Sequence, residues 1–68
     1  RIWMADVGKE EQVNIVEYVE SLGCLVERSS LNLVAVDCSS SELLAKLRIY
    51  LDGLAVQGKI QYELGSSS

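Results

Sequence analysis

The stretch that decides the fold is residues 25–44, LVERSSLNLVAVDCSSSELL. Its first half holds two runs rich in branched aliphatic residues, 25–29 and 31–38, and the polar turn around Ser30 between them predicts an antiparallel hairpin. Its second half is a serine-rich segment followed by apolar residues at steps of three and four, which predicts a helix over about 40–56. The stretch therefore predicts a hairpin that leads directly into a helix.

The flanking segments supply the other elements. An apolar run at residues 2–7 predicts a first strand, and the apolar stripe that follows predicts a helix over about 9–22. Gly23 and Gly58 stand where a left-handed residue would end each helix. The alternation of apolar and polar residues over 59–64 predicts a last strand.

The predicted order is strand, helix, strand, strand, helix, strand, which is the split βαβ unit repeated. This order predicts an α+β fold, the ferredoxin-like βαββαβ plait, in which a four-stranded antiparallel sheet carries two helices on one face and has strands one and three in its centre. A chain of 68 residues holds one small domain at most. We place that domain at residues 1–64 and predict a flexible tail at 65–68.

The composition excludes several classes of protein. The apolar fraction of 49% argues against disorder, and no apolar run approaches the ~20 residues that span a bilayer. The net charge of −4 has the wrong sign for nucleic acid or anionic lipid. Two cysteines are too few for a disulfide scaffold, so we expect a cytoplasmic protein. The chain begins at Arg1 without an initiator methionine, which favours a piece of a longer protein.

Several short motifs together resemble a known family. They are Leu22-Gly23-Cys24, Leu33-Val34-Ala35-Val36-Asp37, Leu47-Arg48, Tyr50-Leu51-Asp52, Gly58 and Tyr62-Glu63. The pattern resembles the C-terminal half of an uncharacterised bacterial family, the domain of unknown function numbered four-two-six-five. The resemblance implies a bacterial, cytoplasmic protein and an N-terminal half of similar length before the matched part. It implies no activity, since none is assigned to that family.

Cys38 is a candidate reactive thiol. It ends a strand just before a helix, and the positive end of a helix dipole lowers a thiol pKa. The alternative, which we favour because the chain has no histidine to act as a base, is a small buried hydrophobe that continues the core face of Val34 and Val36. A loop at 30–32 would place Cys24 opposite Cys38, and we expect two reduced thiols there rather than a disulfide.

Other polar groups are explained by local structure. We interpret the three serines before the second helix as a helix cap rather than an anion site, with Ser39 and Glu42 forming a capping box. We interpret four glutamates of the first helix as a solvated face rather than as metal ligands. These are Glu10, Glu11, Glu17 and Glu20.

Trp3 is the most informative single residue. If Ile2 and Met4 lie under the helices, strand alternation places Trp3 on the opposite, bare face of the sheet. The candidate interface is then an apolar strip on the two central strands, made of Trp3, Ala5, Leu33 and Ala35. The opposite register, with Trp3 in the core, stays open.

These observations predict a function without catalysis. The chain lacks histidine and a paired base and nucleophile, so we expect no enzyme, no cofactor and no metal. We expect a protein-interaction or assembly module that contacts a second copy, as a homodimer, or its own missing N-terminal portion. The alternative is a small-ligand-binding regulatory domain resembling amino-acid-sensing plaits, with Asp6-Val7-Gly8 as its loop.

Overall fold

Six elements follow one another along residues 1–30 and 32–65, which are the residues that the computed structural model describes. They are β1 (Ile2–Ala5), α1 (Lys9–Ser21), β2 (Leu25–Ser29), β3 (Asn32–Asp37), α2 (Ser41–Val56) and β4 (Gln61–Leu64). The strands form one antiparallel sheet in the order β2-β3-β1-β4. The predicted α+β plait, with β1 and β3 in the centre, is confirmed.

Two parts of the sequence predictions fall on residues outside this description. Leu31, the centre of the predicted 30–32 loop, is one, and residues 66–68 of the predicted tail are the other. Gly65, the first residue of that tail, donates a backbone hydrogen bond to the Arg1 carbonyl over 2.8 Å. This bond extends the pairing of β4 with β1 by one step.

Both helices end in the same way, on a glycine with positive φ. Gly23 has φ +80° and Gly58 has φ +76°, as predicted from their places after the apolar stripes. In each case the glycine N–H and the next N–H donate to carbonyls of the last helical turn, which is the Schellman pattern. The four bonds are Gly23 to Glu20 (3.0 Å), Cys24 to Val19 (3.1 Å), Gly58 to Ala55 (3.0 Å) and Lys59 to Leu54 (3.1 Å).

The start of α2 differs from the prediction by one residue. Ser40, not Ser39, is the N-cap, and its Oγ accepts a hydrogen bond of 3.2 Å from the Leu43 N–H. Glu42 then falls at the second helical position instead of the third, so the predicted capping box does not form. Its carboxylate still lies in the first turn, where the helix dipole favours a negative charge.

The core lies between the helices and one face of the sheet. The six largest side chains that are almost fully buried come from β1, β3 and both helices, and are Ile2, Val36, Ile15, Val19, Leu47 and Leu51. Tyr18 of α1 and Tyr50 of α2 stack at the surface of this core with ring centroids 4.5 Å apart. Since Ile2 and Met4 are both buried in the core, the predicted register of β1 is confirmed.

A β-bulge in β3 overturns part of the predicted alternation. Glu27 pairs with Ala35, but the next residue, Arg28, pairs with Leu33, so Val34 is the extra residue. Leu33 is therefore turned to the helix side, where it is 4% exposed and belongs to the core. The prediction that Leu33 lies on the bare face is wrong. Val34, predicted for the core face, is only half-buried beside the bulge.

Gly53, inside α2, and Gly58, just after its end, make a matched pair of test positions. A Cβ at Gly58 would meet no atom within 4 Å, yet its φ of +76° strains any L side chain, so Gly58→Ala is expected to destabilise the domain by about 1–2 kcal/mol. Gly53 lies inside the helix with equally open space, so Gly53→Ala is expected to stabilise it by about 0.5–1 kcal/mol. Urea unfolding measures both, and equal effects of the two substitutions would contradict the cap assignment.

Candidate functional site

The sheet face away from the helices is here called the open face. The pairing register places a set of residues from all four strands on it, because directly paired residues in antiparallel strands share a face. They are Trp3, Ala5, Leu25, Glu27, Ala35, Asp37, Gln61 and Glu63.

Trp3 lies at the centre of the open face. Its side chain is 40% exposed, which shows that the alternative register with Trp3 in the core is wrong. The Arg1 guanidinium carbon lies 4.9 Å from the indole centroid, a cation–π distance. On the other side a Cβ at Gly65 would come within 2.5 Å of Trp3 Nε1, so only glycine allows the chain to pass there. The indole therefore contacts Arg1 on one side and the chain at Gly65 on the other.

Arg1 connects the indole to the acidic groups of the neighbouring strands. Its Nε and Nη2 atoms donate to the two carboxylate oxygens of Asp37 over 3.0 and 2.8 Å. Its Nη1 donates to Glu27 over 3.1 Å. The hydrogen bond to Asp37 is the main reason that the pKa of Arg1 is raised above its usual value. Because Glu63 also lies on this face, one guanidinium stands against three carboxylates, and the open face is net acidic.

The structure brings together only part of the predicted strip. Trp3 and Ala5 are exposed on the open face, whereas Ala35 lies there but is fully covered by its neighbours. Leu33 is absent from this face because of the bulge. Leu25, which sequence reasoning left out, contributes a side chain that is 73% exposed. The predicted hairpin already paired Leu25 with Asp37, and this pairing could have placed Leu25 on the open face.

Two depressions border the central strands. One, of about 310 Å³, lies along β1 and β4 and is lined on the open face by Trp3, Ala5, Gln61 and Glu63. The other, of about 320 Å³, lies at the end of β1.

The second depression lies at the loop Asp6-Val7-Gly8, which the sequence analysis gave as the loop of a small-ligand-binding domain. Asp6 and Val7 line it together with Gln12 and Asn32. Asp6 adopts φ +54°, a left-handed conformation that aspartate tolerates better than most residues. Gln12 Nε2 donates to the Val7 carbonyl over 3.1 Å and so fixes the loop against α1.

Cys24 and Cys38 meet between the end of α1 and the start of α2. Both thiols are free, and their Sγ atoms lie 3.2 Å apart. Burial, and next the hydrogen bond with Cys24, raise the pKa of Cys38 from its ordinary value of 9.0 to about 11. This shift is opposite in direction to the one that a thiolate stabilised by the dipole of α2 would have, and the reactive thiol stays a prediction. The packing of Cys38 against the core agrees with the alternative, a small hydrophobe.

Within residues 1–30 and 32–65, neither helix has the length and apolarity needed to cross a bilayer. Within the same residues, no three acidic, histidine or cysteine side chains are grouped closely enough to hold a metal ion. Comparison with known protein families, with curated proteins and with solved structures finds no match.

The raised pKa of Cys38 gives a prediction about stability against pH. Because the folded state keeps this proton to a higher pH than the unfolded state, folded chains bind more protons between about pH 9 and pH 11. The contribution is complete below the unfolded pKa and is lost as the pH rises through the folded one. Urea unfolding should show stability falling over this window, and less steeply in Cys38→Ser.

The same titration is visible in reactivity. With a thiol-selective reagent, Cys38 should react slowly at neutral pH, and its rate should rise to a midpoint near pH 11. Cys24→Ser leaves Cys38 as the single thiol but removes one cause of the raised pKa, so its midpoint should lie below that of the wild type and, because burial remains, above that of a free cysteine. A midpoint below the free-cysteine value of about 8.5 would support the reactive-thiol hypothesis.

Proposed function

We propose that this domain is a non-catalytic protein-interaction module whose open face binds a protein surface with an apolar centre and a basic margin. The observation that carries the proposal is Trp3. It stands at the centre of a sheet face that neither helix of the described residues covers, and it contacts Arg1 and Gly65. Tryptophan and arginine are among the residue types most enriched in side chains that dominate binding energies.

The exposed apolar side chains of the open face would contribute part of the free energy of association. Trp3 and Leu25 are 40% and 73% exposed, and both lie on the strands of this face. At roughly 25 cal/mol per Å², covering 200 Å² of apolar surface is worth about 5 kcal/mol before association costs. That amount is comparable to the whole stability of a domain of this size. An apolar partner surface is therefore the expected centre of the contact.

The net negative charge of the open face favours a basic binding partner over a second copy of the domain. Arg1 is already paired with Asp37 and Glu27, and Glu63 adds a further carboxylate at the margin. A second copy would bring the same net-acidic margin, and like charges placed face to face oppose association. A surface with lysine or arginine around an apolar centre complements the open face instead. A separate protein or a preceding portion of the same polypeptide meets this requirement equally, and a homodimer is an outcome that the test distinguishes.

The test uses the single tryptophan of the chain as both probe and target. Peptides selected on the domain from a random display library should be rich in apolar and basic residues, and binding should change the fluorescence of Trp3. Binding to Trp3→Ala, which has no tryptophan, is followed with a dye-labelled peptide and should be weaker by at least about tenfold. The variant should stay folded, because the indole lies outside the core. Ile49→Ala is the matched control, since Ile49 is 75% exposed but lies on α2.

Two results would contradict the proposal. Peptides that bind Trp3→Ala as tightly as the wild type would show that another surface is used. Sedimentation showing a dimer that Trp3→Ala dissociates would replace the basic partner with a second copy. In the expected case the wild-type domain sediments as a monomer, and affinity for the selected peptides falls as salt is added, because charges at the margin are screened.

A second candidate function, binding of a small ligand for regulation, is supported by the depression at the end of β1. Its volume of about 320 Å³ is at the lower end for ligand pockets, and it combines apolar walls with Asp6, Gln12 and Asn32. The Asp6 carboxylate would pair with the ammonium group of a free amino acid. This resembles the use of the fold in amino-acid sensing, which the sequence raised as the alternative.

The ligand hypothesis predicts a thermal shift. In a screen of the twenty free amino acids, a true ligand at a hundred times its dissociation constant adds about 2.7 kcal/mol to stability. Asp6→Asn should abolish that shift, because it removes the charge but keeps a residue that tolerates positive φ. A screen without any shift, or a shift that Asp6→Asn retains, would remove this second function.

The proposal includes a cytoplasmic location, which accords with two cysteines that are both free. The bacterial family that the sequence resembles has no assigned activity and so leaves the proposal unchanged.

A further inference from the structure

The two cysteines form a pair whose geometry goes beyond core packing. Leu25 of β2 pairs with Asp37 of β3, and Cys24 and Cys38 flank this pair on its outer side. Neighbouring residues of paired antiparallel strands have Cα atoms about 4.5–5.5 Å apart, within the range that a disulfide bridges. With the Sγ atoms already 3.2 Å apart, a bond requires only a small movement of the two side chains.

We propose that Cys24 and Cys38 are a modification site, at which a small-molecule disulfide of the glutathione class oxidises the pair to a reversible intramolecular disulfide. This site is separate from the open face and does not depend on the proposed interaction. Among the residues that the structure describes, these are the two thiols of the chain, so each has the other as its partner.

The difference in exposure sets the order of the steps. Cys38 is half-buried and accessible, whereas Cys24 is 7% exposed. Cys38 loses its proton and attacks one sulfur of the oxidant, which forms a mixed disulfide and releases the first thiol. Cys24 then loses its proton and attacks the Cys38 sulfur, which forms the internal S–S bond and releases the second thiol. Two electrons and two protons pass from the cysteine pair to the oxidant.

The raised pKa of Cys38 slows the first step at neutral pH. Little thiolate is present at neutral pH, so oxidation is slow and accelerates as the pH rises. The second step is intramolecular between sulfurs that are already in contact, so the mixed disulfide should not accumulate. The bond would close the loop from residue 24 to residue 38, which removes conformational freedom from the unfolded chain.

The test is equilibration of the wild-type domain in buffers of reduced and oxidised glutathione, followed by mass spectrometry and thermal unfolding. We expect a monomer that has lost two hydrogens, is restored by dithiothreitol, and melts about 10–20 °C higher than the reduced form. Cys38→Ser should show neither the mass change nor the thermal shift. Cys24→Ser, which keeps the accessible thiol, should stop at the mixed disulfide with glutathione.

Three results would overturn the proposal. One is a wild-type domain that accumulates the mixed disulfide as Cys24→Ser does, because Cys24 would then not reach the Cys38 sulfur. Another is oxidation that gives only disulfide-linked dimers. The third is a wild-type domain that keeps both thiols reduced, with an unchanged mass, in oxidised glutathione.

Discussion

The packing of both helices on one face of β1 and β3 is the interaction on which the rest of the structure depends. Ile2 from one central strand and Val36 from the other are fully buried beneath helical residues such as Leu47 and Leu51. A chain of 68 residues has apolar side chains for one such layer. The opposite face of the sheet consequently carries Trp3, Leu25, two alanines and a set of polar groups, and it is the surface that we propose for binding.

The ends of the helices set the direction in which the chain returns to the sheet. After each helix the chain must return to the sheet within a few residues, and the two Schellman turns at Gly23 and Gly58 accomplish this with the same pair of hydrogen bonds. The first of these turns also sets the position of Cys24, because Cys24 donates the second bond of the turn to Val19. The closeness of the two thiols thus follows from how α1 ends and how β2 pairs with β3.

Sequence reasoning recovered the elements because periodicity and glycine position are local properties. Such patterns predicted the class of fold, the helix ends at Gly23 and Gly58, and the place of Ile2 in the core. The bulge at Val34 did not, since an extra residue in one strand depends on how the neighbouring strand pairs, and strict alternation then assigned Leu33 to the wrong face. The hydrogen bonds from Arg1 to Asp37 and Glu27 join residues far apart in sequence, so no local sequence pattern predicts them.

The sheet order also governs how the domain assembles as it is synthesised. β1 is made before the other described strands, yet its partners are β3 and β4, and Ile2 pairs with Val36 on one side and Leu64 on the other. Both edges of β1 can therefore be paired only after β4 has emerged. Until then its apolar residues are open to wrong contacts. The β2–β3 hairpin, whose strands are close in sequence, is the natural place for folding to begin.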